Sequence, residues 1–347
     1  AEVADYELEI KAPQGVTVAS GGPIDHINNT WKFMVQNARS IAFSASPEYQ
    51  VSTQTTEGSQ IFIYHLSGNV AEAEAVLTAA SQSLTLFNDR FGPYPYDSLV
   101  IAQNAYLPSV ATGGFILHTG LGFEQYSGHP SNLLVVLVPL TMSQLWWGQV
   151  VGHNPVSEPW LGAAIPMYAE YLFDESYYPN MTGWYWTHRI DYWNPEGPVN
   201  QTSYDLQTTT SLLQDVYRQG ARFLHAVRSS IGDESFAAFL QDLYAHGAFR
   251  ILTSEDFFGT LRRHTDRDMG PIIDQYFDAS IVMPTLAPTL TPVFTPAPSP
   301  SPTPPLRTHI VQEGETLSWI AAQYDVPTQS IIKRNHIADP ATIRPGQ

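Results

Sequence analysis

The longest apolar pattern in the chain lies between residues 131 and 173. Residues 133–138 and 145–151 have too few polar positions to leave a hydrophilic face, which predicts a helix buried on all sides. Ser131 is the expected N-cap of this helix. Pro139 lies inside it and removes one backbone hydrogen bond, so we expect a kink there. A polar connection and a second helix follow.

Alternating and helical patterns on either side of this region predict a mixed fold. Alternation with Gly, Pro and Asn turns predicts strands, and helical spacing with end signals predicts helices. The predicted strands are residues 6–10, 15–19, 31–35, 41–46, 60–65, 99–103 and 115–118, and the predicted outer helices are residues 70–89, 254–263 and 271–277. The predicted class is therefore α+β.

The net charge and the absence of cysteine argue against several classes of function. The chain has 33 acidic and 16 basic residues, for a net charge of −17, which disfavours nucleic acid and polyanionic membrane surfaces as partners. Without cysteine it has no disulfide, thiolate metal site or thiol nucleophile. We expect no membrane span, because Pro139, Thr141, Ser143 and Gln144 interrupt the best candidate. No signal peptide is recognisable, and we interpret the chain as a mature or trimmed piece.

Two motifs in the central region resemble a known family. Trp146-Trp147-Gly148 ends the first predicted helix, and Trp160-Leu161 begins the second. Their spacing is similar to that of the gluzincin metallo-aminopeptidases, the alanyl-aminopeptidase branch of the thermolysin-like superfamily. There, a zinc-binding H-E-x-x-H pattern precedes the W-W-G run, and a glutamate ligand follows the W-L pair. The resemblance implies a thermolysin-like domain.

That resemblance places the zinc and catalytic positions on residues without the required chemistry. The two histidines fall on Leu140 and Gln144, the catalytic glutamate on Thr141, and the distal glutamate ligand on Ala163. Catalytic zinc needs about three imidazole, thiolate or carboxylate ligands. Leucine and alanine offer no lone pair, and an amide is a poor zinc donor. With neither metal nor carboxylate, no water is activated, so we expect no metal, no cofactor and no peptidase chemistry.

Two further segments extend the resemblance. FGPYPYDSLVIAQ, residues 91–103, resembles the family's entry to the first strand of the thermolysin-like domain. The next loop in the family carries G-A-M-E-N, whose glutamate binds the substrate's N-terminal amine, and Ala111 occupies that position here. Residues 37–51 resemble the closing strands of the β-sandwich that precedes the catalytic domain.

Tyr217 matches the one catalytic position that keeps its residue type. VYRQGARFLHAVRSSIGDESF, beginning at Val216, resembles the family's Y-E-K-G-A helix, whose tyrosine donates a hydrogen bond to the oxyanion. Without a metal-bound nucleophile there is no oxyanion to stabilise. We interpret Tyr217 as a vestigial residue with a satisfied hydroxyl.

No replacement active site is recognisable. The histidines form no H-x-H or H-x-x-x-H pair, and no nucleophile elbow or P-loop is present. Glu158 and Glu170 bracket the old ligand position, and we interpret them as a loop charge and a helix-surface charge. A carboxylate pair of the glycosidase kind stays open. The aromatic stretch from Tyr177 to Tyr204 either lines a groove or packs in the core.

The C-terminal part changes character twice. Residues 284–306 are rich in Pro, Thr and Ser without periodicity, which predicts an extended spacer without a core. Residues 309–347 resemble the LysM module through V-Q-x-G-x-T-L, W-I-A-x-x-Y and I-x-P-G-Q. We expect strand, helix, helix and a missing last strand, with Trp319, Ile320, Ile331 and Ile332 forming the small core.

The LysM resemblance also implies a glycan site. LysM modules bind N-acetylglucosamine polymers in a shallow groove between two loops. The corresponding residues in this chain are Gly314, Glu315, Thr316, Leu317, Ile337, Ala338, Asp339 and Pro340. The expected partner is peptidoglycan or another such polymer.

These observations predict four segments. They are the end of a β-sandwich in residues 1–69, a peptidase-like domain in 70–283, a disordered linker in 284–306 and a βααβ LysM module in 307–347. The predicted function is that of a non-catalytic pseudopeptidase at a cell wall or extracellular glycan, with a peptide or protein as a further partner in the old cleft. Two alternatives stay open: a hydrolase with a relocated active site, and a chain whose LysM module carries all of the function.

Overall fold

A computed structural model of the chain describes residues 2–22, 24–105, 108–206, 208–278, 309–312, 315–324, 326, 328–335, 337 and 343–344. The chain divides into two compact units, Ala1–Thr285 and Leu286–Gln347. The predicted spacer, residues 284–306, lies outside the described residues.

The first unit begins with two small antiparallel sheets. Their orders are β1-β4-β3 and β2-β5. The strands are β1 Ala4–Lys11, β2 Thr17–Ser20, β3 Ile24–Ile27, β4 Thr30–Ala38 and β5 Phe43–Ser46. Strand β3 is not among the predicted strands, because all four of its residues are exposed and show no inward-facing alternation.

A five-stranded mixed sheet follows, in the order β6-β7-β8-β10-β9. Its strands are β6 Tyr49–Thr56, β7 Ser59–Leu66, β8 Ser98–Gln103, β9 Val110–Thr112 and β10 Phe115–His118. Strand β8 is parallel to both β7 and β10, whereas β6 and β9 are antiparallel edge strands. The domain division at residue 69 remains a proposal, and the pairing of β7 with β8 favours a boundary before Tyr49.

Helices pack against this sheet and form the largest part of the core. The bounds are α1 Val70–Arg90, α2 Gly120–Glu124, α3 Leu133–Gln144, α4 Ala164–Tyr177, α5 Thr182–Trp184, α6 Thr209–Ser211, α7 Gln219–Ile231, α8 Asp233–Gly247, α9 Ser254–Arg263 and α10 Gly270–Tyr276. A two-stranded parallel sheet joins β11 Gly152–His153 to β12 Ile251–Leu252. The predicted α+β class is confirmed.

Helix α3 is the predicted buried helix, with a different N-cap. Its N-cap is Asn132, whose side chain accepts a hydrogen bond from Leu134 N at 3.0 Å, so the prediction of Ser131 was wrong by one residue. The helix continues through Pro139, and a π-helical segment, Leu145–Val150, follows. Helical geometry breaks at Trp147 (φ −104°, ψ 57°) and Gly148 (φ 170°, ψ −44°).

The segment Leu133–Val150 is also long and apolar enough to cross a membrane, contrary to the expectation from its four interrupting residues. However, 67% of it is buried inside the fold. The core helix of a soluble protein has the same length and composition, so this segment by itself is weak support for a membrane span.

The described part of the C-terminal unit contains two helices, α11 Leu317–Gln323 and α12 Thr328–Asn335. The Thr316 side chain caps α11 by accepting a hydrogen bond from Trp319 N. The prediction that Trp319 belongs to the core was wrong, because its side chain is 54% exposed. The buried face of α11 consists of Leu317, Ile320 and Ala321, which follow helical spacing and exclude position 319.

Candidate functional site

An open cleft of about 290 Å³ lies where α3, the start of α4, edge strand β9 and the segment before α7 meet. Four of the residues singled out by the resemblance line it, namely Ala111, Gln144, Ala163 and Tyr217. They come from segments that are far apart in the sequence. The remaining lining residues are Trp147, Gly148, Gln149, His153, Pro155, Pro159, Gly162, Ser203 and Leu212.

The other two singled-out residues are not among those that line the cleft. Leu140 is half-buried and packs against the hydrophobic core. Thr141 is 1% exposed, and its Oγ1 donates a hydrogen bond to Leu137 O at 2.7 Å. A neutral hydroxyl is far too weak a base to take a proton from water, unlike the carboxylate of a glutamate.

The resemblance assigns Gln144 and Tyr217 to the second histidine and the oxyanion-binding tyrosine, and both residues line the cleft. Burial raises the pKa of Tyr217, and the nearby Gln144 side chain offsets only part of that shift. The hydroxyl is therefore protonated at neutral pH.

His153 contributes the one imidazole in the cleft lining. Burial lowers its pKa to about 4, and the positive charge of Arg39 acts in the same direction, so the ring is neutral at neutral pH. Its position depends on Gly162, since a Cβ there would overlap the imidazole. The spacing of the histidines does not single out His153, because β11 brings it to the cleft only in the folded chain.

Gln149 is a second polar residue that the sequence analysis missed. Its Nε2 donates to Ala111 O at 3.2 Å, and its Oε1 accepts from Ser40 Oγ at 3.3 Å. The side chain thereby ties the π-helical segment after α3 to edge strand β9. The break at Trp147 and Gly148 turns this segment toward the strand, which apolar periodicity could not indicate.

The described side chains do not fit the zinc ion that the fold class implies. Leu140 and Ala163 offer no lone pair, Gln144 offers an amide, and His153 is the single imidazole of a lining without a carboxylate. Throughout the described residues, no group of three or more His, Asp or Glu side chains is arranged to hold a metal. Structural and catalytic zinc both require at least three such ligands.

Glu170 is not the helix-surface charge that the sequence suggested. Its side chain is fully buried and accepts two hydrogen bonds from Arg189, at 2.6 Å to Nε and 2.7 Å to Nη2. Asp174, one turn further along α4, is 2% exposed, and burial together with the charge of Glu170 raises its pKa to about 8. Neither carboxylate lines the cleft.

Glu158 lies in a loop, as predicted, but it has a defined contact. One carboxylate oxygen accepts a hydrogen bond from Ser254 N at 2.8 Å. This contact satisfies one of the free amides in the first turn of α9. Its role in the fold is therefore local and structural.

The predicted glycan-binding residues are described only in part. The Glu315 carboxylate accepts hydrogen bonds from Gln312 N at 2.7 Å and from His309 Nε2 at 2.8 Å. Thr316 is exposed, Ile337 is half-buried, and Leu317 is 4% exposed. Gly314, Ala338, Asp339 and Pro340 lie outside the described residues.

Residues 309–347 match the model of the LysM domain family. Aminopeptidase M1-A of Oryza sativa subsp. japonica is 22% identical over 231 residues, which are 61% of this chain and 26% of that protein. Aminopeptidase N of Lactobacillus delbrueckii subsp. lactis is 22% identical over 306 residues, 79% of this chain and 36% of that protein. The chain thus spans roughly a quarter to a third of these relatives.

Solved structures agree with these matches. The M1 zinc metallopeptidase from Deinococcus radiodurans superimposes with a TM-score of 0.64 at 17% identity, over 81% of this chain and 65% of that one. A variant of it bound to a tyrosyl-seryl-alanine substrate gives a TM-score of 0.60 at 16% identity, with the same coverage. The first unit therefore has the fold of the M1 metallopeptidases, which are gluzincins.

The fold and the match together define a two-part protein. A gluzincin-like unit without the family's zinc ligands precedes a LysM domain at the C-terminal end. Because LysM domains bind peptidoglycan and other N-acetylglucosamine polymers, the match implies a partner of that kind.

Proposed function

We propose that this protein is a non-catalytic pseudopeptidase that is held at a cell wall or extracellular glycan by its LysM domain. Its peptidase-like unit acts there as a binding or scaffolding module, with a peptide or protein in the cleft. An extracellular, cell-wall-associated location follows from the same proposal.

The composition of the open cleft carries this proposal. The cleft is large enough to admit a ligand, yet its lining has Gln144 and Ala163 at two of the three assigned zinc-ligand positions, and Leu140, packed against the core, occupies the third. Ala111 stands where the family binds the substrate's amine. The space of an active site is retained while the groups that would perform the chemistry are absent from these positions.

A relocated hydrolase site is the alternative, and the described cleft residues do not support it. Ser203 is the one alcohol besides Tyr217 in the lining, and its Oγ donates to Pro155 O at 2.6 Å. A serine nucleophile requires a base within hydrogen-bond reach. Asp174 and Glu170 form a carboxylate pair, but both are buried away from the lining.

Zinc content and peptidase activity test the non-catalytic assignment. After dialysis against a weak chelator, we expect no stoichiometric zinc and no turnover of aminopeptidase or endopeptidase substrates. Stoichiometric zinc in the purified full chain would contradict the assignment. So would turnover that disappears in Tyr217→Phe, because the tyrosine would then be stabilising an oxyanion.

Deletion of residues 284–347 tests the attachment. We expect the full chain to sediment with insoluble peptidoglycan and the shortened chain to stay in solution, because the LysM domain provides the glycan contacts. Equal sedimentation of the two proteins would show that the attachment does not depend on LysM.

A further inference from the structure

The mouth of the cleft continues onto exposed apolar side chains. Pro155 and Ser203 line the cleft, and each is followed by an exposed residue, Val156 at 41% and Tyr204 at 86%. The two segments are joined, since Ser203 N donates to Val156 O at 2.8 Å and Ser203 Oγ donates to Pro155 O at 2.6 Å. Val156 and Tyr204 therefore each follow a lining residue, in two segments that are joined to each other.

A third segment repeats this arrangement. Leu212 lines the cleft, and Leu213 after it is 41% exposed. Gln214 Nε2 donates to Trp193 O at 3.1 Å, which ties the backbone of Trp193 to this segment. One face of the indole lies 4.6 Å from the Arg218 guanidinium, and the side chain is 43% exposed. We call Val156, Trp193, Tyr204 and Leu213 the apolar rim.

The cleft itself carries no formal charge at neutral pH. Its described lining contains no aspartate, glutamate, lysine or arginine. His153 is neutral because burial and Arg39 lower its pKa to about 4, and Tyr217 stays protonated. An ammonium group brought into this cleft would lose hydration without gaining a counter-charge.

The remaining polar groups suit a peptide group better than a sugar. Gln144 carries a donor and an acceptor on one planar amide, which matches the donor and acceptor of a backbone peptide unit. The amide of Gln149 is already bonded to Ala111 O and Ser40 Oγ. Val156 and Leu213 are aliphatic and match apolar side chains. Exposed apolar surface of this kind next to a cleft marks a contact site.

We propose that the cleft binds an uncharged peptide segment, either internal or with an acylated amino terminus, and places the segment's apolar side chains on the apolar rim. A peptide with a free α-ammonium group at its amino terminus binds the cleft much more weakly. This inference rests on the proposed binding function and specifies its ligand.

Two matched probes test the charge selectivity on the full chain. Alanyl-leucyl-alanyl-phenylalanyl-glycine amide, labelled at its C-terminal end, is prepared with an acetylated and with a free amino terminus, and binding is followed by fluorescence anisotropy. At about pH 6.5 the acetylated form is expected to bind at least about tenfold more tightly. At about pH 9.5, above the usual pKa of an α-amine, the difference should nearly vanish.

Substitutions at Ala111 provide the sharpest control. Ala111→Glu places a carboxylate beside the cleft and should shift the preference at about pH 6.5 toward the free amine by about tenfold. Ala111→Gln has a similar size without charge and should keep the preference for the acetylated probe. Identical preferences in the two variants would overturn the charge argument.

The rim is tested separately. The double variant Tyr204→Ser/Leu213→Ser should bind the acetylated probe several-fold more weakly, because it removes apolar contact area. Val51→Ser is the control, since Val51 is 44% exposed on β6, the edge of the sheet opposite β9. Unchanged binding in the rim variant would contradict the placement of the ligand.

The remaining outcomes separate this inference from the proposed function. If neither probe binds while the chain still sediments with peptidoglycan, the proposed peptide ligand of the cleft is wrong. The proposal that the protein is attached to the cell wall is then unaffected. If an N-acetylglucosamine tetramer binds and its affinity falls in the rim variant, the cleft is a glycan site and the peptide ligand is again wrong. Cleavage of either probe would overturn the proposed function itself.

Discussion

Helix α4 carries two buried carboxyl groups, Glu170 and Asp174, which lie one turn apart but have different partners. Glu170 is ion-paired with Arg189 through two hydrogen bonds. The Oδ2 of Asp174 has no hydrogen-bond partner among the described residues. Glu170 has the guanidinium as its partner, whereas burial and the charge of Glu170 raise the pKa of Asp174 to about 8 and keep it mostly protonated at neutral pH. Each side chain therefore makes a distinct contribution to stability.

Glu170→Gln is expected to lower the free energy of unfolding by about 3–5 kcal/mol, because it leaves the Arg189 charge buried without its partner. Urea denaturation at neutral pH measures the change. Glu175→Gln is the control: Glu175 is 37% exposed and lies 2.9 Å from Arg228, so solvent screening should limit its cost to about 1 kcal/mol or less. Similar losses in both variants would contradict the buried role of Glu170.

Asp174→Asn is expected to change the pH dependence of stability. In the folded chain the pKa of Asp174 is raised from 3.8 to about 8 by burial and by Glu170. A carboxyl group whose pKa is raised by folding contributes its full stabilisation below the pKa that it has in the unfolded chain. This contribution is lost as the pH rises through the pKa that it has in the folded chain.

The wild-type chain should therefore lose stability relative to Asp174→Asn between about pH 4 and about pH 8. Urea midpoints of both proteins across that range provide the measurement. Parallel curves would show that Asp174 is not protonated in the folded chain.

The packing of α4 against α7 depends on one glycine. A Cβ at Gly220 would lie 2.5 Å from Ala164 Cβ and 3.0 Å from its Cα. Neither atom can move without shifting the start of α4, next to Ala163 in the cleft. The close approach of the two helices thus explains why a residue with poor helix propensity is placed in α7.

Gly220→Ala is accordingly expected to cost about 1–3 kcal/mol through overpacking. Gly259→Ala in α9 is the matched control, because a Cβ there meets nothing within 4 Å. That change should stabilise the chain by about 0.5–1 kcal/mol through helix propensity and a less flexible unfolded state. Thermal unfolding of both variants checks the opposite signs.

The whole molecule brings together positions that are separate along the chain. In the triple variant Leu140→His/Gln144→His/Ala163→Glu, we expect stoichiometric zinc binding, because three ligands of the correct chemistry would stand where the gluzincin fold places them. Metal analysis after dialysis is the measurement, with circular dichroism to verify folding.

The double variant Leu140→His/Gln144→His, which keeps Ala163, supplies only two ligands and should bind zinc more weakly than the triple variant. A folded triple variant without zinc would show that the assignment of these positions is wrong. The experiment therefore tests the correspondence with the gluzincin site independently of any natural activity of the chain.

Local signals predicted several elements with their observed bounds. Strand β10 and helix α9 are two of them, and α9 begins with the capping box of Thr253 and Asp256. Strand β6 was missed because its exposed polar residues show no apolar alternation, and its strand conformation follows from pairing with β7. The buried state of Glu170 was also missed, because its partner Arg189 is 19 residues away.

The sequence by itself determined which chemistry is absent from the positions that the resemblance assigns to the gluzincin site. Residue identity decides whether a side chain has an electron pair for a metal, and Leu140 and Ala163 have none in any conformation. Only the tertiary structure decided that the site is an open cleft whose described lining is uncharged, with Gln144 and Tyr217 brought together in it and His153 kept neutral. Those properties depend on long-range packing and desolvation, which exist only after distant segments have come together.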